Sequence, residues 1–375
     1  VGNGFGHYSL TAFFLKSKQI KNVLVIDFFD HYKQKINYIF DIPTIKFSLK
    51  KIFFFNLSKK NEKKFFNYCK KLVNHKKIKI IDSIDDLYFN RNKEKNFFFD
   101  EYNSINAKNM HRFYRLQNSK HKFWMRFIHS DNKDFDLNTH INLNKMKKIK
   151  NELNINLDPN KKNLVFFHRY KNTGKDYILR KGYKDLRSGA GDHRYYEKIF
   201  EHLSSLNLNV FIIGDFNKND LIKIKSKFNF NVCENLKKQN KFYIFSICIS
   251  DFLIGEHGGA CELPMILRKK TLLFNFTNVG DILPNTLIYP KNFKKISNGL
   301  TTMNLDDIIR YRNINDKLKP KIDCSLVDIE KLNNLIQNFI EENYEKKNES
   351  KNYLIEEMKK NNSYFFNDWL LNHNI

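Results

Sequence analysis

The chain has no run of eighteen or more apolar residues, so no transmembrane helix is expected. Its beginning lacks the basic-then-apolar pattern of a secretory leader. It also lacks an initial Met and starts at Val1, directly before a Gly-rich loop, so a first β-strand is expected to be missing there. The five cysteines (Cys69, Cys233, Cys248, Cys261, Cys324) include no C-x-x-C pair, which argues against a disulfide scaffold or a zinc finger and fits a reducing cytoplasm. The twelve histidines show no H-E-x-x-H spacing, so no protein-built metal site is expected. There is no internal repeat and no G-x-G-x-x-G dinucleotide fingerprint with its partner acid.

What is present is basic and apolar. Lys and Arg number 66 against 40 Asp and Glu, a net charge of +26. Such an excess suits nucleic acid, an anionic membrane surface or anionic substrates. It also suits an AT-rich coding sequence, because Lys, Asn, Ile and Phe are all abundant. The lysines run from Lys16 to Lys360 without forming one block, so no specific nucleic-acid partner is expected. Loose contact with an anionic membrane is the remaining functional reading. A hydrophobic share of 41% over 375 residues is enough for two ordinary domains with real cores.

Apolar runs then mark the elements. Val23–Ile26, Ile52–Phe55, Ile78–Ile81 and Phe97–Phe99 read as strands, and Asn61–Leu72, Asn103–Leu116, Lys122–Ile128 and Lys145–Leu153 as helices. The polar stretch 154–162 reads as a linker. A second α/β pattern follows: strand Asn163–Phe167, helix Asp192–Leu206, strand Val210–Gly214, helix Lys218–Lys227, short strand Phe230–Cys233 and helix Gln239–Ile249. Next come strand Phe252–Ile254, a turn over Gly255–Gly259, helix Ala260–Lys269 and strand Thr271–Phe274. Phe276–Tyr289 reads as loop and short strand, Leu305–Arg312 as a short helix, and Ser325–Glu345 and Asn352–Leu371 as long helices. Alternating strands and helices predict a parallel α/β sheet in each half.

Three stretches carry ligand chemistry. Gly258 and Gly259 before a helix let an anion approach backbone N–H groups, or else form an ordinary tight turn. His168-Arg169 at a strand end opens a loop with Lys171, Lys175, Arg180, Lys181, Lys184 and Arg187. Ligands of open α/β sheets sit at such strand ends, and a guanidinium grips phosphate in a fixed geometry. The plain alternative is a solvated surface loop, with Asp192 as the next helix cap. At the start of the chain, G-x-G-x-G-H places His7 before an amphipathic segment, as a general base or a surface histidine.

The order of motifs in the second half resembles a known family. It holds Arg187-Ser188-Gly189, Tyr195-Tyr196-Glu197-Lys198-Ile199, Gly214-Asp215, Ser250–Gly259 and then Pro264 to Leu267 before Asn275. This resembles the GT-B glycosyltransferases, above all bacterial enzymes thought to make surface carbohydrates, over roughly residues 163–290. The resemblance implies an α/β chain of two Rossmann-like domains facing a cleft, with C-terminal helices. Residues 1–153 would form the acceptor side, 163–325 the nucleotide-sugar domain and 326–375 the closing helices.

By the same resemblance, Gly258, Gly259 and Ala260 would meet the donor diphosphate. Arg169, Arg187 and His257 would add phosphate contacts, Glu262 would accept ribose hydroxyls, and His7 would be the catalytic base. A first-turn helix glutamate is the alternative for Glu262. No cofactor or metal is implied, since the nucleotide-sugar is a co-substrate and helix N-termini with basic residues offset the leaving charge. The acceptor would be a surface polysaccharide or glycolipid, and the enzyme cytoplasmic, peripheral on the inner membrane. Glu256 and Glu262 are too close in sequence for the two-glutamate retaining pattern, so inversion is preferred. The alternatives are a nucleotide-sugar epimerase or hydrolase on the same scaffold, for which no clear carboxylate set stands out, and a basic RNA- or membrane-binding module.

Overall fold

The computed structural model describes residues 13, 16–17, 23–27, 39–41, 44–48, 79–81, 97–99, 134–168, 193–214, 216–235, 237–256, 258, 261–276, 284–296, 300–302, 322–344, 353–360 and 362–372. The chain divides into two compact units, Val1–Lys145 and Met146–Ile375. The expected strand Ile52–Phe55 and the helices Asn61–Leu72, Asn103–Leu116, Lys122–Ile128 and Leu305–Arg312 lie outside the described residues. Among the described residues no helix is long and apolar enough to cross a membrane.

In the first unit β1 (Val23–Asp27) pairs in parallel with β2 (Thr44–Ser48), and β3 (Lys79–Ile81) with β4 (Phe97–Phe99). A 3-10 turn, Leu137–His140, is capped by Asp136, whose side chain accepts from Asn138 N–H at 2.9 Å. Phe13 meets Phe135 edge to face at 5.1 Å, and Phe13, Ile39, Phe40 and Leu137 are buried. The unit boundary falls inside α1 (Leu143–Glu152), which turns Met146 and Ile149 inward at a helical spacing of three.

The second unit is built on β5 (Lys162–His168), α2 (His193–Ser205), β6 (Leu208–Gly214), α3 (Lys218–Phe228), α4 (Gln239–Ile249), β7 (Phe252–Glu256), α5 (Glu262–Ile266), β8 (Lys270–Phe276) and β9 (Thr286–Pro290). A small antiparallel sheet follows, β11 (Leu300–Thr302), β10 (Asn292–Ile296) and β12 (Ile322–Ser325) in that order. Then come α6 (Ile329–Glu341), α7 (Tyr353–Lys360), β13 (Tyr364–Phe365) and α8 (Asn367–Asn372). The main sheet has six strands in the order β13-β9-β8-β7-β5-β6, every pair parallel. Its central strands read as continuous apolar runs because both faces are covered.

Phe230–Cys233, expected as a short strand, is reduced to one parallel bridge from Asn231 to Phe211 on the outer edge of β6. Counting that bridge as the third strand, the order is the doubly wound 3-2-1-4-5-6, with β13 appended. The switch point, where successive strands change direction across the sheet, lies between β5 and β7. The core on this sheet is aromatic: Phe166 of β5 lies 5.2 Å from Phe200 of α2 and 6.0 Å from Phe274 of β8. Each such buried ring contributes about 2 to 3 kcal/mol of transfer free energy.

Further elements differ from expectation. Strand β7 runs on through Gly255 and Glu256, which the sequence suggested were turn; both are buried. The helix after it is five residues long, not ten. Arg268 takes a left-handed conformation (φ 54°) that ends it. The single helix expected over Asn352–Leu371 is broken, with Asn362 at φ 53°, and the residues after it form β13 beside β9. Trp369 of α8 is buried, and its indole N–H donates to Lys291 O at 3.2 Å.

Candidate functional site

At the carboxyl ends of β5 and β7 two polar side chains meet inside the protein. His168 is the last residue of β5 and is 4% exposed; Glu256 is the last of β7 and is 2% exposed. Imidazole Nδ1 lies 3.3 Å from Glu256 Oε2. The other carboxylate oxygen, Oε1, accepts from the hydroxyl of Tyr196 on α2 at 2.8 Å. The rings of His168 and Tyr196 pack at 4.0 Å, and Phe216 covers His168 at 5.0 Å. Burying a carboxylate is costly unless donors satisfy it, and here both oxygens have one.

Two glycines make this approach possible. A Cβ at Gly214, the last residue of β6, would sit 1.9 Å from His168 O, and its φ of 127° also suits only glycine. A Cβ at Gly255 would sit 2.2 Å from Phe167 O. The end of β5 is thus clamped between two strands that have no side chain at the point of contact.

The neighbouring tyrosine serves a second anchor. Tyr195 donates to Val327 O at 3.0 Å, and Asn275 near the end of β8 lies 3.4 Å from its oxygen. Asn275 Oδ1 in turn accepts from Val327 N–H at 2.9 Å. Burial pushes the Tyr195 phenol well above its ordinary range, so it stays a donor. The adjacent tyrosines of α2 therefore reach two strand ends, β7 through Tyr196 and the β8 region through Tyr195.

Beyond Glu256, contacts tie the start of α5 to the end of β7. Gly258 O accepts from Cys261 N–H at 3.0 Å, and Cys261 Sγ lies 3.4 Å from Glu256 O. Glu262, first in α5, is half-buried as a residue, but its Oε2 is sealed from solvent and has no hydrogen-bond partner among the described residues. Burial pushes its carboxyl up to about 7. Among the described residues no three His, Cys, Asp or Glu side chains gather as a metal-holding group.

Of the residues singled out by sequence, Gly258 and Glu262 are therefore placed just beyond the end of β7. His7, Arg169, Arg187, His257, Gly259 and Ala260 lie outside the described residues. The residues that sequence reasoning missed are His168, Tyr196 and Glu256. His168 and Tyr196 stand within motifs that give them no role of their own, and Glu256 is weighed in the sequence only for the two-glutamate pattern, which its spacing from Glu262 rules out. The available signal was a lone polar residue closing an otherwise apolar strand, twice over.

A cleft of about 880 Å³ lies elsewhere, at the amino end of the same sheet, lined by Asn154, Asp158, Asn209, Asn231 and Glu234 among others. Its polar groups are tied to one another and to backbone. Asn209 Nδ2 lies within 2.8 Å of Asp158 O and 3.0 Å of Asn163 Oδ1. The carboxyl end is the better candidate site, because ligands of open α/β sheets bind there and because its buried groups are ionisable.

No protein-family model matches the chain, and no curated protein matches its sequence. Among solved structures it is similar to the ADP-heptose lipopolysaccharide heptosyltransferase II of E. coli, at 8% identity and a TM-score of 0.32, over 54% of this chain and 53% of that one. It is also similar to the wall teichoic acid polymerase TagF, at 14% identity and a TM-score of 0.24, over 53% of this chain and 42% of that one. The chain thus spans about half the length of the first and less of the second.

Proposed function

We propose that the protein is a glycosyltransferase that moves a sugar from a nucleotide-sugar donor to a carbohydrate or lipid-linked acceptor, with the donor held at the carboxyl end of the six-stranded sheet. The observation that carries this reading is the buried His168–Glu256–Tyr196 cluster at the switch point between β5 and β7. Buried ionisable groups gather at functional sites, and the switch point is where such sheets bind nucleotides. The motif order that resembles GT-B enzymes ends at the same strand termini. In this reading Gly258, Gly259 and Ala260 take the diphosphate, Arg169, Arg187 and His257 add charge, and Glu262, whose Oε2 has no hydrogen-bond partner among the described residues, accepts from a ribose hydroxyl. His7 is the base on the acceptor side, and the acceptor is a surface polysaccharide or glycolipid reached from the cytoplasmic face of a membrane.

The test is a melting-temperature screen with UDP, GDP, ADP, CMP and their sugars. A nucleotide that binds only the folded chain stabilises it by about 2.7 kcal/mol at a hundred times its Kd. One nucleotide family is expected to raise the Tm, and Gly258→Val is expected to abolish that rise by blocking backbone approach. His7→Ala is expected to keep the rise and lose transfer. Silence from every nucleotide at saturation overturns the reading.

A second reading has one specific observation in its favour. Glu262, with its carboxyl near 7, and the Glu256–His168 pair supply acid–base groups of the kind an epimerase or hydrolase on this scaffold needs. Incubation with the nucleotide-sugar alone separates the two. Conversion or release of the sugar without an acceptor favours the second reading, and transfer that requires an acceptor favours the first.

A further inference from the structure

The backbone pairing around the switch point is uneven. On one flank β5 and β6 stay in register out to His168 and Gly214. On the other, β7 and β8 stay in register out to Glu256 and Phe274. Between β5 and β7 the ladder stops one residue sooner, at Phe167 and Gly255. The next pair across that gap, His168 and Glu256, is joined by side chains instead. Tyr196 adds the helix to the same carboxylate. Three elements therefore meet on one residue where the sheet begins to part.

The chain leaves the sheet there. Arg169 follows His168, and His257 and Gly258 follow Glu256. We propose that Glu256 is a positioning residue: its carboxylate braces the ends of β5 and β7 across the switch point and fixes where the two ligand-side segments depart. This rests on the donor-site reading above and adds to it a residue that need not touch the donor. With Nδ1–H donated to Glu256, a neutral His168 ring carries its proton on Nδ1, which makes Nε2 the acceptor nitrogen. A misplacement of segments that grip a diphosphate is felt at the ligand even when the fold survives.

Glutamine at position 256 can still serve both neighbours, with its carbonyl accepting from one and its amide donating to the other, whereas alanine can serve neither. The experiment titrates UDP, GDP, ADP and CMP into wild type and variants by calorimetry. Glu256→Ala is expected to weaken the binding nucleotide by about tenfold or more, and Glu256→Gln to stay within about threefold of wild type. Tyr196→Phe, which removes one contact and little volume, is expected to fall between them and serves if Glu256→Ala does not fold. Leu335→Ala, in the buried face of α6, lowers stability while leaving His168, Tyr196 and Glu256 in place and is expected to keep wild-type affinity. Nitrogen-15 NMR of the imidazole is expected to find Nδ1 protonated in wild type.

An unprotonated Nδ1, unchanged affinity in Glu256→Ala and Tyr196→Phe, or an equal loss in Leu335→Ala would overturn the proposal. So would a Glu256→Gln variant as weak as Glu256→Ala, since then charge and not the brace is what matters. Wild type that binds none of the four nucleotides overturns the donor reading itself. That result is distinct from failure of the brace, in which wild type binds and Glu256→Ala binds as well.

Discussion

The two ends of the six-stranded sheet handle polar residues in opposite ways. At the amino end, amides and carboxylates are stitched to the backbone. Asp251 Oδ2 accepts from Asn163 N–H at 2.7 Å, Asn163 Nδ2 donates to Ile249 O at 3.1 Å, and Asn209 spans the turn before β5. At the carboxyl end, ionisable side chains are buried against one another, and one Glu262 oxygen has no partner among the described residues. The first arrangement stabilises loops. The second gathers ionisable groups at the end where open α/β sheets bind ligands.

The comparison can be broken at several points. The largest effect is expected from Gly255→Ala, whose Cβ would sit 2.2 Å from Phe167 O and force β7 away from β5. Urea unfolding should read a loss of about 3 kcal/mol or more, and a loss below about 1 kcal/mol would show that the strand ends are not tightly apposed. Next is Asn209→Ala at the amino end, which removes the amide that donates to the carbonyls of Asp158 and Lys161 and accepts from Asp158 N–H; Asp158 O keeps Lys161 N–H as a donor. A loss of about 2 kcal/mol is expected from urea unfolding, with no change in nucleotide response. An altered nucleotide response would erase the distinction between the ends.

The smallest effect is a pH dependence. Burial raises the folded-state pKa of Glu262 to about 7, above the ordinary 4.5. Its neutral form therefore favours the fold fully below about pH 4.5, and that contribution is lost as pH rises through about 7. Glu262→Gln removes the loss. The variant should gain about 1 to 2 kcal/mol on wild type between pH 5 and pH 8, less than the full shift implies because the residue keeps some solvent. Thermal melts at the two pH values check it, and a constant difference would place the carboxyl in water.

Much of the sheet could be read from the chain because its strands are buried on both faces. An apolar run such as that ending in His168 needs no partner to be recognised, and Gln239–Ile249 was delimited as it stands in the fold. The errors have physical causes. Gly255-Glu256 reads as a turn because glycine and glutamate are poor strand residues on average, yet here glycine is required by the carbonyl of Phe167 and the glutamate by its two donors. The break after α7 went unseen because helical propensity is strong on both sides, and pairing of Tyr364 and Phe365 with β9 overrides it. Which polar residues would meet at the site is not legible in the chain, even though two polar strand ends can be read from it. Glu256 lies 88 residues from His168 and 60 from Tyr196, and only the crossovers of a parallel sheet bring such residues together.

The two rims of that sheet bear on how the chain meets other copies of itself. One rim ends in the single Asn231 bridge and the other in the two residues of β13, whose following turn is secured by Phe366 N–H donating to Ile288 O at 2.9 Å and by the Trp369 indole. An exposed edge strand invites a second copy to add on and propagate, and very short edges are one way to deny it a template. Here β6 and β9, both long enough and apolar enough to recruit a neighbour, are each covered by a stub too short to do the same. Loosening the Trp369 anchor would uncover β9, and its first consequence would be self-association during expression.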